Sequence, residues 1–161
     1  RFHNIEVEDN ATAYLEWANG ATGTFVTSTG EAPGTNRLEI AGTRGKLVLE
    51  DNRLTVTRNE ADMLEFSKTA KLGLARPEAQ SEEISFEVAP NPHAVVMKNF
   101  VNAILDGEPL IAPGEDGLNS LELANALVYS TLLGQTVELP LDGAAWEKKL
   151  NQLIAESKAR N

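Results

Sequence analysis

Cysteine is absent from this chain, so disulfides and cysteine-based zinc sites are excluded at once. Histidine is almost absent: His3 and His93 are the only two, and no cluster of ligands surrounds either, so no metal site is expected. A basic excess is missing as well. The 14 lysines and arginines stand against 24 aspartates and glutamates, a formal charge of −10. That balance disfavours non-specific binding to nucleic acid or to an anionic membrane surface, both of them polyanions. No apolar run approaches the roughly 20 residues that span a bilayer, and no basic segment followed by an apolar run marks a signal peptide. A cytoplasmic domain with neither nucleic-acid nor membrane partners is the expectation.

Three further absences concern chemistry. None of the 12 glycines falls into the Gly-x-Gly-x-x-Gly pattern that seats a dinucleotide on a helix N-terminus, and there is no phosphate-cradling P-loop. A cofactor site within the chain is therefore not expected. No Gly-x-Ser-x-Gly elbow surrounds a serine, so a triad built from Ser28 and His93 has nothing to support it. The acidic residues offer many carboxylate pairs for a hydrolase, and nothing selects one. Glu6, Glu8 and Asp9 are close in sequence, but strand alternation would separate them, and they read as solvated edge carboxylates.

The 161 residues fit one domain spanning 1–161. Strands occupy about 4–88 and helices about 93–106, 115–133 and 142–158. Asn19-Gly20 between two alternating runs predicts a two-residue type I′ hairpin, pairing Tyr14 with Phe25 and Leu15 with Thr24. Ala13, Leu15, Trp17 and Val26 then share one face, with Tyr14 and Phe25 on the other. Both faces are partly apolar, so a second layer beyond the helices, such as a partner subunit, is expected to cover one of them. Short strands at 37–41, 46–50 and 53–57 follow. Met63–Phe66 reads as an edge strand within a polar excursion from 59 to 81, and Glu83–Val88 alternates as a strand rejoining the sheet. After Pro92 the period changes to about 3.6. The first helix stops at Asp106-Gly107, and the second carries Leu118, Leu121, Asn125, Val128 and Leu132 on one face. Thr136–Leu139 reads as a short strand. Asp142 caps a third helix with Trp146, Leu150, Leu153 and Ile154 inside and a solvated tail to Asn161. Strands followed by helices, without βαβ alternation, define an α+β fold: a mostly antiparallel sheet with helices packed on one face.

His93, near the first turn of the first helix, has two readings: a polar residue packed on the Pro-Asn-Pro loop, or a hydrogen-bonding group facing a pocket. Thr29, Glu31 and Asn36 have turn chemistry as their ordinary role. Asn125 reads as a satisfied buried amide.

Together, Ile5-Glu6-Val7-Glu8-Asp9-Asn10, the hairpin through Thr29-Gly30, Pro33–Ile40, Gly45-Lys46-Leu47, Asn99–Gly107, Gly117–Ala126 and Gln135–Pro140 resemble the C-terminal domain of the Gfo/Idh/MocA oxidoreductases. The resemblance implies a glyceraldehyde-3-phosphate-dehydrogenase-like α+β domain that follows an N-terminal Rossmann domain binding NAD or NADP. It implies hydride transfer to or from a sugar, inositol or related polyol. The dinucleotide fingerprint, the Lys-Pro pair and the Asp…His catalytic pair of that family would precede the first residue here, and Arg1-Phe2 fits a piece of a longer protein. Thus no catalytic or cofactor residue is expected in this chain, and His3 is not the catalytic histidine. What carries over is the substrate side: Thr29, Glu31 and Asn36 in or beside the loop from Gly30 to Asn36, and His93 where family members place a Tyr or His. The open sheet face implies a homo-oligomer. The competing expectation is a free-standing, non-catalytic binding or assembly module.

Overall fold

The computed structural model describes residues 3–5 and 7–160; Arg1, Phe2, Glu6 and Asn161, and the expectations placed on them, lie outside the described residues. All strand pairings are antiparallel and three long helices follow the strands, an α+β fold. The chain divides into two compact units: residues 1–31 with 96–161, and residues 32–95.

In the first unit, β1 (Asn10–Glu16) and β2 (Thr22–Ser28) form a two-stranded sheet. The first strand begins at Asn10 rather than near residue 4, because the chain before it bends around Asp9 instead of extending. The hairpin register is one residue away from the expected one: Ala13 faces Phe25 and Tyr14 faces Thr24. The turn has three residues, not two. The Gly20 N–H donates to the Trp17 carbonyl at 2.8 Å and the Trp17 N–H to the Ala21 carbonyl at 2.9 Å. Gly20 alone takes the left-handed conformation, at φ 85°, while the Asn19 side chain accepts from the Ala21 N–H. That is the type I turn closed by a left-handed glycine, which uses the same Asn-Gly pair as the two-residue turn. A one-residue slip moves every side chain on the second strand to the other face. Phe25 therefore joins Ala13 and Leu15, and Val26 joins Thr12 and Tyr14. Gly23 leaves room for the Trp17 indole, which lies 3.1 Å from where its Cβ would stand.

The second unit holds a four-stranded sheet in the order β3 (Arg37–Gly42), β4 (Gly45–Glu50), β5 (Arg53–Asn59), β6 (Ala79–Ile84). Asp51 and Asn52, at φ 51° and 58°, make the type I′ turn between β4 and β5, both central residues having the positive φ it requires. Gly45 is obligatory: at φ 137° its missing Cβ would stand 1.9 Å from the Thr57 carbonyl oxygen. Leu38, Ile40, Leu47, Leu49, Leu54, Val56 and Ile84 are cross-strand neighbours on one face. The opposite face carries Arg37, Glu39, Lys46, Glu50, Arg53, Thr55, Thr57, Ser81 and Glu83.

Two expectations in this unit are overturned. Met63–Phe66 is not an edge strand but the start of a helix, α1 (Met63–Thr69). Asp62 accepts the Leu64 N–H at 2.9 Å, and the acidic Glu65 in the first turn suits the positive end of the helix. The last strand runs from 79 to 84, not from 83 to 88. Leu54 pairs with Ile84 at the start of β5, so Ser85 and Phe86 would fall opposite Arg53 and the turn, and the ladder has nothing further to pair with.

The helices are α2 (Pro92–Asp106), α3 (Asp116–Leu133) and α4 (Gly143–Arg160). Pro92 opens α2 at the position where a missing N–H costs nothing, with the Asn91 side chain accepting from the Ala94 N–H. Gly107 at φ 72° and Gly134 at φ 64° follow the ends of α2 and α3, as left-handed caps do. Asp142 accepts from Ala144 and Ala145 at 3.0 Å each to start α4. The inner face of α3 is only in part the expected one: Asn125 and Val128 are half-buried, but Leu118, Leu121 and Leu132 are not. Leu118 and Leu121 are exposed, while Glu122, Ala126 and Tyr129 are covered. Tyr129 meets the Trp146 ring edge-on at 5.6 Å, and Glu122 accepts the Leu141 N–H. One ring contact to α4 and one hydrogen bond to the segment before it outweigh a plain leucine stripe in setting the helix's rotation. Trp146 and Leu153 of α4 are half-buried as expected, but Leu150 and Ile154 are exposed. Thr136–Leu139 forms no strand: it is a short connection whose next N–H, that of Leu141, goes to Glu122 instead of a ladder.

Candidate functional site

The base of the hairpin is organised by Asp9. It is not a solvated edge carboxylate, since its side chain is 1% exposed. One carboxylate oxygen accepts the His3 N–H at 2.7 Å and faces the His3 imidazole Nδ1 at 3.4 Å. The other accepts the Asn10 side-chain amide at 2.9 Å. The backbone carbonyl of Asp9 accepts twice from Thr29, through its N–H at 2.9 Å and its hydroxyl at 3.1 Å. A buried carboxylate is tolerated only when it is hydrogen-bonded in this way. Asp9 went unrecognised in the sequence because the signal, an Asp-Asn pair just before a strand, is common in loops.

Thr29 thus spends its donors on the fold, and its ordinary turn role is realised. Next to it the Gly30 N–H donates to the Ser28 hydroxyl. Glu31 is exposed at the end of the same unit. Asn36 and His93 belong to the other unit and are both exposed. Asn36 immediately precedes β3, and His93 is the second residue of α2, after the capping Asn91. Within one unit, then, Thr29 and Glu31 share a loop start, while Asn36 and His93 stand on separate elements. Asn125 is half-buried on α3.

Beside Asn36 lies a charged cluster that the sequence did not single out. Arg37 donates to Glu50 at 2.6 Å and also to Glu39, and Lys46 stands 3.5 Å from Glu39. Hydrogen bonding to Glu39 and then to Glu50 raises the Arg37 pKa above its ordinary value. The Arg37 hydrogen bond, and next the Lys46 charge, hold the Glu39 carboxyl below the usual carboxylate range. Period-two spacing places these residues on one face, but only the β3–β4 register brings them together. On the same face, Val48, Glu50, Arg53, Thr55 and Glu83 line a shallow groove of about 160 Å3. An apolar groove of about 310 Å3 lies in the first unit between α2 and the 109–112 segment, lined by Val96, Met97, Phe100, Leu110 and Ala112. Asn99 holds it in shape by accepting the Ile111 N–H and donating to the Pro109 carbonyl, both at 3.0 Å.

The N-termini of the three long helices do not form a pyrophosphate cradle. The pyrophosphate of a dinucleotide needs free backbone N–H groups at a helix N-terminus reached by a glycine turn. Here α2 opens on a proline with Asn91 as cap, and α4 has its first N–H groups taken by Asp142. The start of α3 carries Glu115 and Asp116, charges of the same sign as the phosphates. Among the described residues no group of three histidines, acids or cysteines could hold a metal, and no helix is long and apolar enough to cross a membrane.

Antiparallel strands with short turns, followed by three long helices, define an α+β domain. The chain belongs to the Gfo/Idh/MocA oxidoreductase family: the model of that family's C-terminal alpha/beta domain matches residues 1–139. No curated protein matches the chain.

Proposed function

We propose that this domain forms the substrate-binding and subunit-contact part of an NAD(P)-dependent, cytoplasmic oxidoreductase acting on a sugar, inositol or related polyol. Membership of the family supports the oxidoreductase part of this reading. Hydride transfer requires the nicotinamide held against the substrate carbon and a base near its hydroxyl. The observation that carries the division of labour is the state of the helix N-termini, each capped by a side chain or flanked by acids. The cofactor then comes from an N-terminal Rossmann domain, and this chain alone is inactive as a dehydrogenase. Thr29, Glu31, Asn36 and His93 supply the substrate-side contacts. The apolar face of the four-stranded sheet, with Leu38 56% and Leu47 40% exposed, supports a contact with a second copy.

Calorimetric titration of the 161-residue chain with NAD(H) and NADP(H) tests this. No saturable binding is expected, and a dissociation constant near micromolar for either would overturn the division of labour. Adding hexoses and inositols to the same chain is expected to shift the amide resonances of Asn36 and His93.

A further inference from the structure

Asp9 joins three stretches of chain. Its carboxylate holds the segment that leads in from His3, its side chain also holds Asn10 at the start of β1, and its carbonyl holds Thr29 at the exit of β2. It is the one polar residue that is buried among the described residues. An acid normally stays in water unless its partners compensate for the lost hydration. Here part of the compensation comes from the incoming segment, through the His3 N–H, and part from Asn10, so the position of that segment bears on the placement of Asp9 and its carbonyl. The carbonyl in turn fixes both donors of Thr29, and the next residue continues the chain of hydrogen bonds from the Gly30 N–H to the Ser28 hydroxyl.

We infer that Asp9 is a positioning residue that couples the segment entering the domain to the loop beginning at Thr29. Resting on the functional reading above, this makes the substrate loop sensitive to the chain that precedes the hairpin: pulling His3 away loosens Thr29 and Gly30. The coupling is reciprocal, as any coupling between two sites must be. Loosening Thr29 therefore also loosens His3.

Amide hydrogen exchange on the 161-residue chain tests this without a substrate, so its outcome is separate from whether the loop binds a sugar. His3→Pro deletes the N–H donor to Asp9 and leaves Thr29 intact; it is expected to speed exchange of the Thr29 amide by about fivefold or more, the low end of typical coupling between sites. Thr29→Val keeps the N–H but removes the hydroxyl, and is expected to speed exchange of the His3 amide. Thr29→Ser, which keeps the hydroxyl, is expected to restore it. The β4 and β5 amides, in the other unit, serve as the control for general loosening. Unchanged exchange at Thr29 in His3→Pro, or equal acceleration across β4 and β5, would overturn the coupling.

Discussion

At position 62 a carboxylate accepts the Thr43 hydroxyl at 2.6 Å and the Leu64 N–H at 2.9 Å, with Arg44 3.8 Å away. The Thr43 hydrogen bond first, then the backbone N–H groups of Leu64 and Glu65 and the Arg44 charge, depress its pKa. The folded value lies below the unfolded one, so the stabilisation is fully present above the unfolded carboxylate pKa of about 3.9. It is lost as pH falls through the depressed folded value. Protection of the Leu64 amide is therefore expected to fall below about pH 4 in the native chain. In Asp62→Asn, which retains a capping oxygen, it is expected to stay flat with pH. A native profile that is equally flat would show that the cap does not depend on ionisation. The capping acid was legible as Asp62 followed by Glu65, yet the short Met-Leu-Glu-Phe run alternates well enough to read as a strand. The cap, a local hydrogen bond, decided between them. Asp9 was not legible, because its backbone carbonyl is held by Thr29, twenty residues away, a contact that local pattern does not report.

Among the elements, helix ends and turns were the most readable. Gly107 and Gly134 end their helices where the sequence placed the stops, since only a residue without Cβ enters the left-handed region freely. Register was less readable. Asn19-Gly20 marks a turn, but it serves two-residue and three-residue loops alike, and the difference exchanges Phe25 and Val26 between faces. The rotation of α3 was hidden for a similar reason. Its leucines outline one stripe, while Glu122 and Tyr129 make the contacts to the Leu141 N–H and to Trp146. The first turn of α3 also contains Gly117, where an added Cβ would meet nothing within 4 Å. Gly117→Ala is expected to stabilise the chain by about 0.5–1 kcal/mol, the helix-propensity difference between the two residues. A urea titration measures it, and an unchanged or lower midpoint would count against the helical geometry assigned to that turn.

Over the whole molecule, the order of strands before helices and the α+β class were evident from the change of period after Pro92. The division into two units was not, because it depends on which distant segments pack together, and periodicity reports only local faces. The four-stranded sheet has one charged and one aliphatic face. The proposed contact between copies places the aliphatic one in the interface. Light scattering of the wild-type chain is then expected to give a mass above that of the monomer. Leu47→Glu, which sets a charge amid Ile40, Leu49 and Val56, is expected to return it to the monomer. A wild-type chain that is monomeric at high concentration would remove the sheet face from the proposal.

The hairpin turn also bears on how the protein ages chemically. An asparagine followed by glycine is the pair most open to deamidation, in which the glycine nitrogen attacks the asparagine side-chain carbonyl. In the turn the Gly20 nitrogen is committed to the Trp17 carbonyl and the Asn19 side-chain oxygen to the Ala21 N–H. Both reacting groups are held in place, so closure to the succinimide with loss of ammonia is expected to be slower in the folded hairpin than in an unfolded chain, and the isoaspartate and aspartate left by its hydrolysis, read by peptide mapping, would mark molecules whose turn has opened.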